Sequence, residues 1–461
     1  MNNNFTLTDK HKYRCKVLPK MQGNEETICY LMGFWLGDGS RTLKRRFEIC
    51  LSNHDEENKD LENQFKKVFL KYHFSESDVS KSIIANCTTF MNWLLENIES
   101  GKLWEIIKPY KWSFIAGLIN SDGWVQCPHK DEDGRIIQIC FGNNNLFLVQ
   151  KLQEFLKEEG IDAKIRIHDK VGEKITINRK VVIIKNIQYW LVVNRRADNF
   201  IFANHLLPFV SRSDVKQRLL NYIKFYEEKH LQQKLPVIEI FKSIQGEGLD
   251  IGKIQTFVRL AGCNLKCRGC DSAWSWKVSK KYKTTIEEIL KMVESLGWNE
   301  VCLTGGEVML YPERIKALCA FLKSKGYYIN LQTNGTLYDA TVFSLVDCVD
   351  MDIKSPCTGE KSNVKLIKNL REKDYIKVLI EDEIDLQYAR SLDDLAKDVG
   401  CSIILQPYNK VTKNTTMDLL KKLKWISEEV LNDIKTKKHK WGKVRVLPQQ
   451  HVLIWGNRRG V

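Results

Sequence analysis

No run of eighteen apolar residues occurs in the 461-residue chain, so no membrane-spanning helix is expected. The start, Met1-Asn2-Asn3-Asn4, lacks the basic residues and the apolar stretch of an export signal, and the expectation is a cytosolic protein with no membrane partner. A disulfide framework is missing too, because the 14 cysteines are scattered along a long chain and most read as reduced core residues. No low-complexity linker divides the sequence. With 43% hydrophobic and 28% charged residues the composition is that of folded globular domains, and the length suits two of them. The formal charge is +15, shared as 35 Lys and Arg against 29 Asp and Glu in residues 1–232 and 37 against 28 in the remainder. Neither half stands out, so net charge does not locate a nucleic-acid site.

A boundary is expected near residue 232. Val215 to Gln233 has Leu219, Leu220, Ile223 and Tyr226 at helical spacing, and Pro236 then stops the helix and opens an extended run, Val237 to Phe241. Beyond it strands at 256–260, 300–304 and 328–332 alternate with helices at 285–295 and 314–325. That order implies βα units and a mainly parallel sheet.

Within Ala261-Gly262-Cys263-Asn264-Leu265-Lys266-Cys267-Arg268-Gly269-Cys270-Asp271, three thiols follow a strand in a glycine-containing loop. Three thiolates can hold three irons of a cubane and leave the fourth open to a substrate-like ligand. Zinc is the rival, and it wants a fourth ligand, for which Asp271 is the only close candidate. The spacing, with Leu303-Thr304-Gly305-Gly306-Glu307 at the end of the next strand, resembles the radical S-adenosylmethionine enzymes. The resemblance implies a 4Fe-4S cluster on Cys263, Cys267 and Cys270. It also implies S-adenosyl-L-methionine held by Gly305, Gly306, Glu307 and Asn334 and cleaved to a 5′-deoxyadenosyl radical. Val308 stands where that family usually has proline.

Further stretches narrow the family. Phe241-Lys242-Ser243-Ile244-Gln245-Gly246-Glu247-Gly248, Thr256 to Gly262, Gln332 to Thr336, Asp350 to Pro356, Leu405-Gln406-Pro407 and Gln449-Gln450-His451 occur in the order found in the 7-carboxy-7-deazaguanine synthases. This resemblance implies contraction of 6-carboxy-5,6,7,8-tetrahydropterin to 7-carboxy-7-deazaguanine with loss of ammonia. Gln245 and Glu247 can read the donor and acceptor edge of the pterin, and Arg259 offers a two-pronged partner for its carboxylate. Gly248, Thr304, Gln449 and His451 complete the expected substrate set, with His451 reaching in from a last strand. Ser272 is expected at Mg²⁺, where the family usually has threonine; its rival role is to cap the next helix. An electron donor such as flavodoxin or ferredoxin, and a homodimer through this domain, are also implied. A glycyl-radical activase shares the cysteine spacing and is the rival enzyme.

In the first half, Leu31-Met32-Gly33-Phe34-Trp35-Leu36-Gly37-Asp38-Gly39 returns as Ile115-Ala116-Gly117-Leu118-Ile119-Asn120-Ser121-Asp122-Gly123, 84 positions later. A repeated motif indicates a duplicated fold. Gly33, Ala116 and Gly117 would let two helices pack closely, bringing Asp38 and Asp122 together at their ends. The pair is similar to the LAGLIDADG homing endonucleases, which implies Mg²⁺ on Asp38 and Asp122 and cleavage of double-stranded DNA. Lys164, Arg166, Lys170, Lys174, Arg179, Lys180, Lys185, Arg195 and Arg196 dot the following runs and could neutralise phosphates. A DNA-binding module without catalysis is the rival. An intein fits poorly, since neither a splice-site nucleophile at Met1 nor a His-Asn pair before Leu235 is present.

The expected architecture is therefore α/β and α+β in two domains. Residues 1–232 form a pseudo-symmetric αββαββα repeat, divided at about 25–110 and 111–230, and residues 233–461 form a partial (β/α) barrel.

Overall fold

The computed structural model describes the chain apart from residues 1–18, 39–45, 52–54, 77–80, 127–136, 170, 173, 178–179, 184–185, 411–414, 459 and 461. It divides into two compact units between Tyr226 and Glu227. Among the described residues no helix is long and apolar enough to cross a membrane.

The first unit is organised by two helices, α1 (Glu25–Asp38) and α2 (Lys111–Asp122). Both are apolar on most sides, as helices enclosed by their own domain must be. Glycine sets their approach. A Cβ on Gly33 would lie 2.0 Å from the Phe114 carbonyl oxygen, and one on Gly117 would lie 2.1 Å from that of Tyr30. Two polar contacts fix the register between them, Ser113 Oγ to the Glu26 carbonyl at 2.7 Å and Asn120 Nδ2 to Tyr30 Oη at 2.9 Å.

Each helix leads into an antiparallel sheet. After α1, strands Phe47–Cys50, Lys81–Ala85 and His73–Glu76 lie side by side in that order. They cover Phe47, Phe65, Phe69 and Phe90, whose rings pack at 4.7–5.9 Å. After α2 come β1 (Gly123–Gln126), β2 (Gln138–Asn143), β3 (Ala163–Asp169) and β4 (Gln188–Val193), in the spatial order β1-β2-β4-β3. Between β3 and β4 the chain makes a separate hairpin, Lys174–Ile177 with Lys180–Ile183, which adds to the expected αββαββα pattern.

The second unit is one eight-stranded sheet whose neighbours follow chain order: β5 (Val237–Ile244), β6 (Ile254–Leu260), β7 (Glu300–Gly305), β8 (Tyr328–Thr333), β9 (Cys348–Ile353), β10 (Tyr375–Ile380), β11 (Ser402–Pro407) and β12 (Lys443–Val446). Only β5 and β6 are antiparallel. Helices α3 (Ile286–Ser295), α4 (Pro312–Ser324), α5 (Ala340–Leu345), α6 (Glu383–Val399) and α7 (Thr416–Thr436) occupy the connections, and α8 (Gln450–Trp455) follows β12. Thr285 and Glu288 form a capping box that starts α3. The parallel strands all end on one side, the usual place for a site in such a fold.

Candidate active site

The loop after β6 carries the three cysteines, and backbone crossings hold it. A Cβ on Gly305 would meet the Leu260 carbonyl oxygen at 2.1 Å, and one on Gly306 would meet that of Gly262 at 2.0 Å. Gly306 N donates to Leu260 O at 3.0 Å and Glu307 N to Gly262 O at 2.7 Å. Only residues without side chains let the end of β7 lie on the cysteine loop this way.

Cys263, Cys267 and Cys270 are half-buried, free of disulfides, and line one cavity. Burial pushes the Cys267 thiol up to about 11, with Cys270 and Cys263 adding to the rise. Among the described residues, groups of donors whose atoms all lie within 4.8 Å of one another include Glu247, Asp271 and His451 but not the three thiols. Three thiolates of one loop on one cavity can hold three irons of an iron–sulfur cubane.

Glu307 is enclosed beside the glycine turn. It is almost fully buried and does not line the cavity. Its Oε1 accepts from Met309 N and Thr333 Oγ1, both at 2.8 Å, and its Oε2 accepts from Asn334 N at 2.6 Å. Burial pushes its carboxyl up. The residue clamps the end of β8 to the glycine turn, while Gly305, Gly306 and Asn334 line the cavity. Asn334 is itself fixed by Asn264 at 2.9 Å and Thr336 at 2.6 Å.

Gln245, Gly246 and Glu247, from the turn that runs to Gly248, line the same cavity. Gln245 lines the cavity, but its amide serves the turn: Nε2 donates to Gln255 Oε1 at 3.0 Å, and Oε1 accepts from Glu247 N at 3.2 Å. Gly248 has φ +70°, and a Cβ there would meet Tyr375 Oη at 1.8 Å. Glu247 is buried, with Oε1 accepting from Gln449 Nε2 at 2.7 Å and Gln406 Nε2 at 3.0 Å, and Oε2 accepting from Lys377. Burial pushes its carboxyl up, yet Lys377 and then His451 outweigh that and hold it well below the usual carboxylate range. Thr304 also lines the cavity and donates to Gln332 Oε1 at 2.6 Å.

Three expectations need correction or refinement. Arg259 lines the cavity, but its Nε is paired with Glu239 Oε1 at 2.8 Å, its partner across the β5–β6 ladder. Its guanidinium is thus partly committed to a cross-strand ion pair. His451 sits on α8, not on a strand, and reaches the cavity because Gly246 has no side chain: a Cβ there would lie 2.0 Å from His451 Nδ1. Ser272 begins a single turn, Ala273–Ser275, through its carbonyl, with no cap from its hydroxyl, which lies 3.7 Å from Cys270 Sγ.

Sequence reasoning missed Lys377 and Asp350. The signal was a lone lysine in Tyr375-Ile376-Lys377-Val378-Leu379-Ile380, a strand otherwise free of charge. Asp350 is fully buried, 3.5 Å from Lys377. Burial pushes its carboxyl up to about 6 against the pull of Lys377, with Glu247 and Asp352 adding to the rise. A raised acid favours folding fully below its unfolded pKa of about 4 and loses that contribution as pH rises through about 6. At about 1.4 kcal/mol per unit, Asp350→Asn should therefore gain on the wild type by up to ~3 kcal/mol between pH 4 and pH 7, read from denaturant unfolding of this unit. A constant difference across that range would contradict it.

In the first unit, Asp122 closes α2, and its Oδ2 accepts from Asn143 Nδ2 at 3.0 Å. A Cβ on Gly37 would lie 3.4 Å from that oxygen and 1.9 Å from Ser121 Oγ, so the end of α2 lies directly against α1. Asp38 is the last residue of α1, and its side chain lies outside the described residues. Lys164 and Arg166 are exposed on β3. Arg195 is not on a strand: it stands at the start of the helix Arg196–Leu206 and pairs with Asp162 at 3.0 Å. Arg196 is the first residue of that helix and half-buried. Lys170, Arg179 and Lys185, and the side chains of Lys174 and Lys180, lie outside the described residues.

Residues 257–356 match the Radical SAM superfamily and residues 109–196 the LAGLIDADG-like domain. The 7-carboxy-7-deazaguanine synthase of Bacillus cereus is 32% identical over 247 residues, covering 50% of this chain and 99% of that enzyme. The chain belongs to the 7-carboxy-7-deazaguanine synthase family. The synthase of Bacillus subtilis is 34% identical over 249 residues, covering 49% of this chain and 98% of its own. Among solved structures, QueE from Escherichia coli is 20% identical, covering 48% of this chain and 96% of that one, with a TM-score of 0.36. The homing endonuclease I-DmoI is 15% identical, covering 40% and 97%, with a TM-score of 0.29. The synthase unit is thus joined in one chain to a LAGLIDADG-like region.

Proposed function

We propose that residues 233–461 convert 6-carboxy-5,6,7,8-tetrahydropterin to 7-carboxy-7-deazaguanine, with loss of ammonia. The observation that carries this reading is that Cys263, Cys267 and Cys270 share one cavity with Glu247, Thr304, Gln449 and His451 at the ends of the parallel strands. In the proposal the three cysteines hold a 4Fe-4S cluster, and the Gly305-Gly306 backbone with Asn334 holds the methionine end of S-adenosylmethionine. Together these groups would supply the radical that takes hydrogen from the substrate. The chain's own side chains bind and orient. Glu247 accepts from the N–H edge of the pterin, Gln449 keeps Glu247 aimed, and His451 and the terminal nitrogens of Arg259 face the substrate's carboxylate. The hydroxyl of Ser272, uncommitted as a cap, would serve Mg²⁺. A small acidic electron-transfer protein such as flavodoxin or ferredoxin supplies the reducing electron, and the unit pairs as a homodimer. Product formation by reconstituted protein tests the reading.

For residues 1–232 the proposal is a Mg²⁺-dependent endonuclease acting on double-stranded DNA, with Asp38 and Asp122 as metal ligands and Lys164 and Arg166 against phosphate. The glycine-mediated approach of α1 and α2, which brings the end of α2 against Gly37, supports it. Loss of a ligand carboxylate removes several kcal/mol of charge stabilisation, so Asp122→Asn should slow cutting of a randomised duplex library by on the order of a hundredfold or more. Binding without cuts in the wild type, unchanged in the variant, would instead identify a DNA-binding module.

A further inference from the structure

Glu247 is held from three directions, and Lys377, the charged member of the three, has no role in the reading above. Lys377 lies in the middle of β10, its side chain only 6% exposed, and bonds Glu247 Oε2 while lining the cavity. Its ammonium also lies 3.5 Å from Asp350 and 3.4 Å from Asp352. Three carboxylates thus face one lysine. Asp352 has a second partner, Lys354, at 3.0 Å, while Asp350 is fully enclosed and poorly suited to ionisation. Lys377 is left as the buried cation bonded to Glu247. A carboxylate offers about four acceptor positions, and Gln406, Gln449 and Lys377 occupy three of those on Glu247.

We propose that Lys377 is a positioning residue for the substrate: it fixes Glu247 as an oriented anion whose remaining acceptor position takes an N–H of the pterin's aminopyrimidinone edge. The inference rests on the synthase reading and adds a residue to it. The physical requirement is that a carboxylate taken out of water needs a cation to remain charged. Neutralised, it would present its own O–H where the heterocycle also presents N–H, two donors facing each other.

The test uses the full-length, anaerobically reconstituted protein and four variants: Lys377→Met, Lys377→Arg, Glu247→Gln and the Met/Gln double. Cluster absorbance controls for folding. KM and kcat are measured together with the Kd of the carboxytetrahydropterin from anaerobic calorimetry. Hydrogen bonds to charged groups set the scale, so Lys377→Met should raise KM and Kd by roughly ten- to a hundredfold, with kcat reduced far less. Lys377→Arg should recover most of the affinity. In the Glu247→Gln background Lys377→Met should add less than about threefold, since the group it positions is gone. If the methionine variant loses the absorbance, Lys377→Gln carries the same expectation. A Kd within twofold of the wild type, or losses from the two single variants that multiply in the double, would overturn the proposal. A wild type that makes no carboxydeazaguanine would overturn the synthase reading instead.

Discussion

Cys267→Ala is expected to abolish the visible absorbance of the reconstituted protein and to bring product formation down to background. The reason is coordination number. Three thiols occupy one loop and line one cavity, so removing one sulfur leaves two thiolates there. With two thiolates the cubane is short of a corner, and reductive cleavage of S-adenosylmethionine has no site. Iron and sulfide analysis beside the absorbance spectrum separates loss of cluster from loss of fold. A variant that kept a full complement of four irons and turned over would show that Cys267 is not a ligand.

The second large effect is in the first unit. Gly33→Ala should destabilise that unit by about 3 kcal/mol or more, measured by thermal or denaturant unfolding, and should weaken the duplex binding proposed for it. The added methyl would fall 2.0 Å from the Phe114 carbonyl oxygen, a backbone atom that cannot rotate away. The helices could separate only by giving up the Ser113–Glu26 and Asn120–Tyr30 bonds and opening the core around Ile28, Leu31 and Trp35. Overpacking of this kind belongs to the short list of mechanisms with large costs. The iron–sulfur absorbance should be unaffected, because the cysteine loop belongs to the other compact unit.

Much of this protein could be read before its structure, for a physical reason in each case. Local chemistry writes itself into spacing: the three cysteines must come from one loop, and Gly33 and Gly117 must lack side chains where helices touch. Longer-range matters were not legible. The pairing of Arg259 with Glu239 depends on the register of β5 against β6, set by residues all along both strands. His451 was placed on a strand because a short apolar run has no period long enough to distinguish helix from strand; α8 is only six residues long. Glu307 lies in a motif whose position was right, but its side chain turns inward to Thr333 and Asn334, partners about a strand and a helix away. Lys377 makes sense only once β10 is known to pass beneath the Gln245 to Gly248 turn.

The central claim is that Cys263, Cys267, Cys270 and the turn bearing Glu247 serve one ring contraction. Its most direct test is mass spectrometry of the anaerobically reconstituted full chain given reductant, Mg²⁺, S-adenosylmethionine and 6-carboxy-5,6,7,8-tetrahydropterin. The account predicts 7-carboxy-7-deazaguanine and one equivalent of ammonia per turnover, with S-adenosylmethionine largely retained. Accumulation of 5′-deoxyadenosine with no ring-contracted product would contradict it.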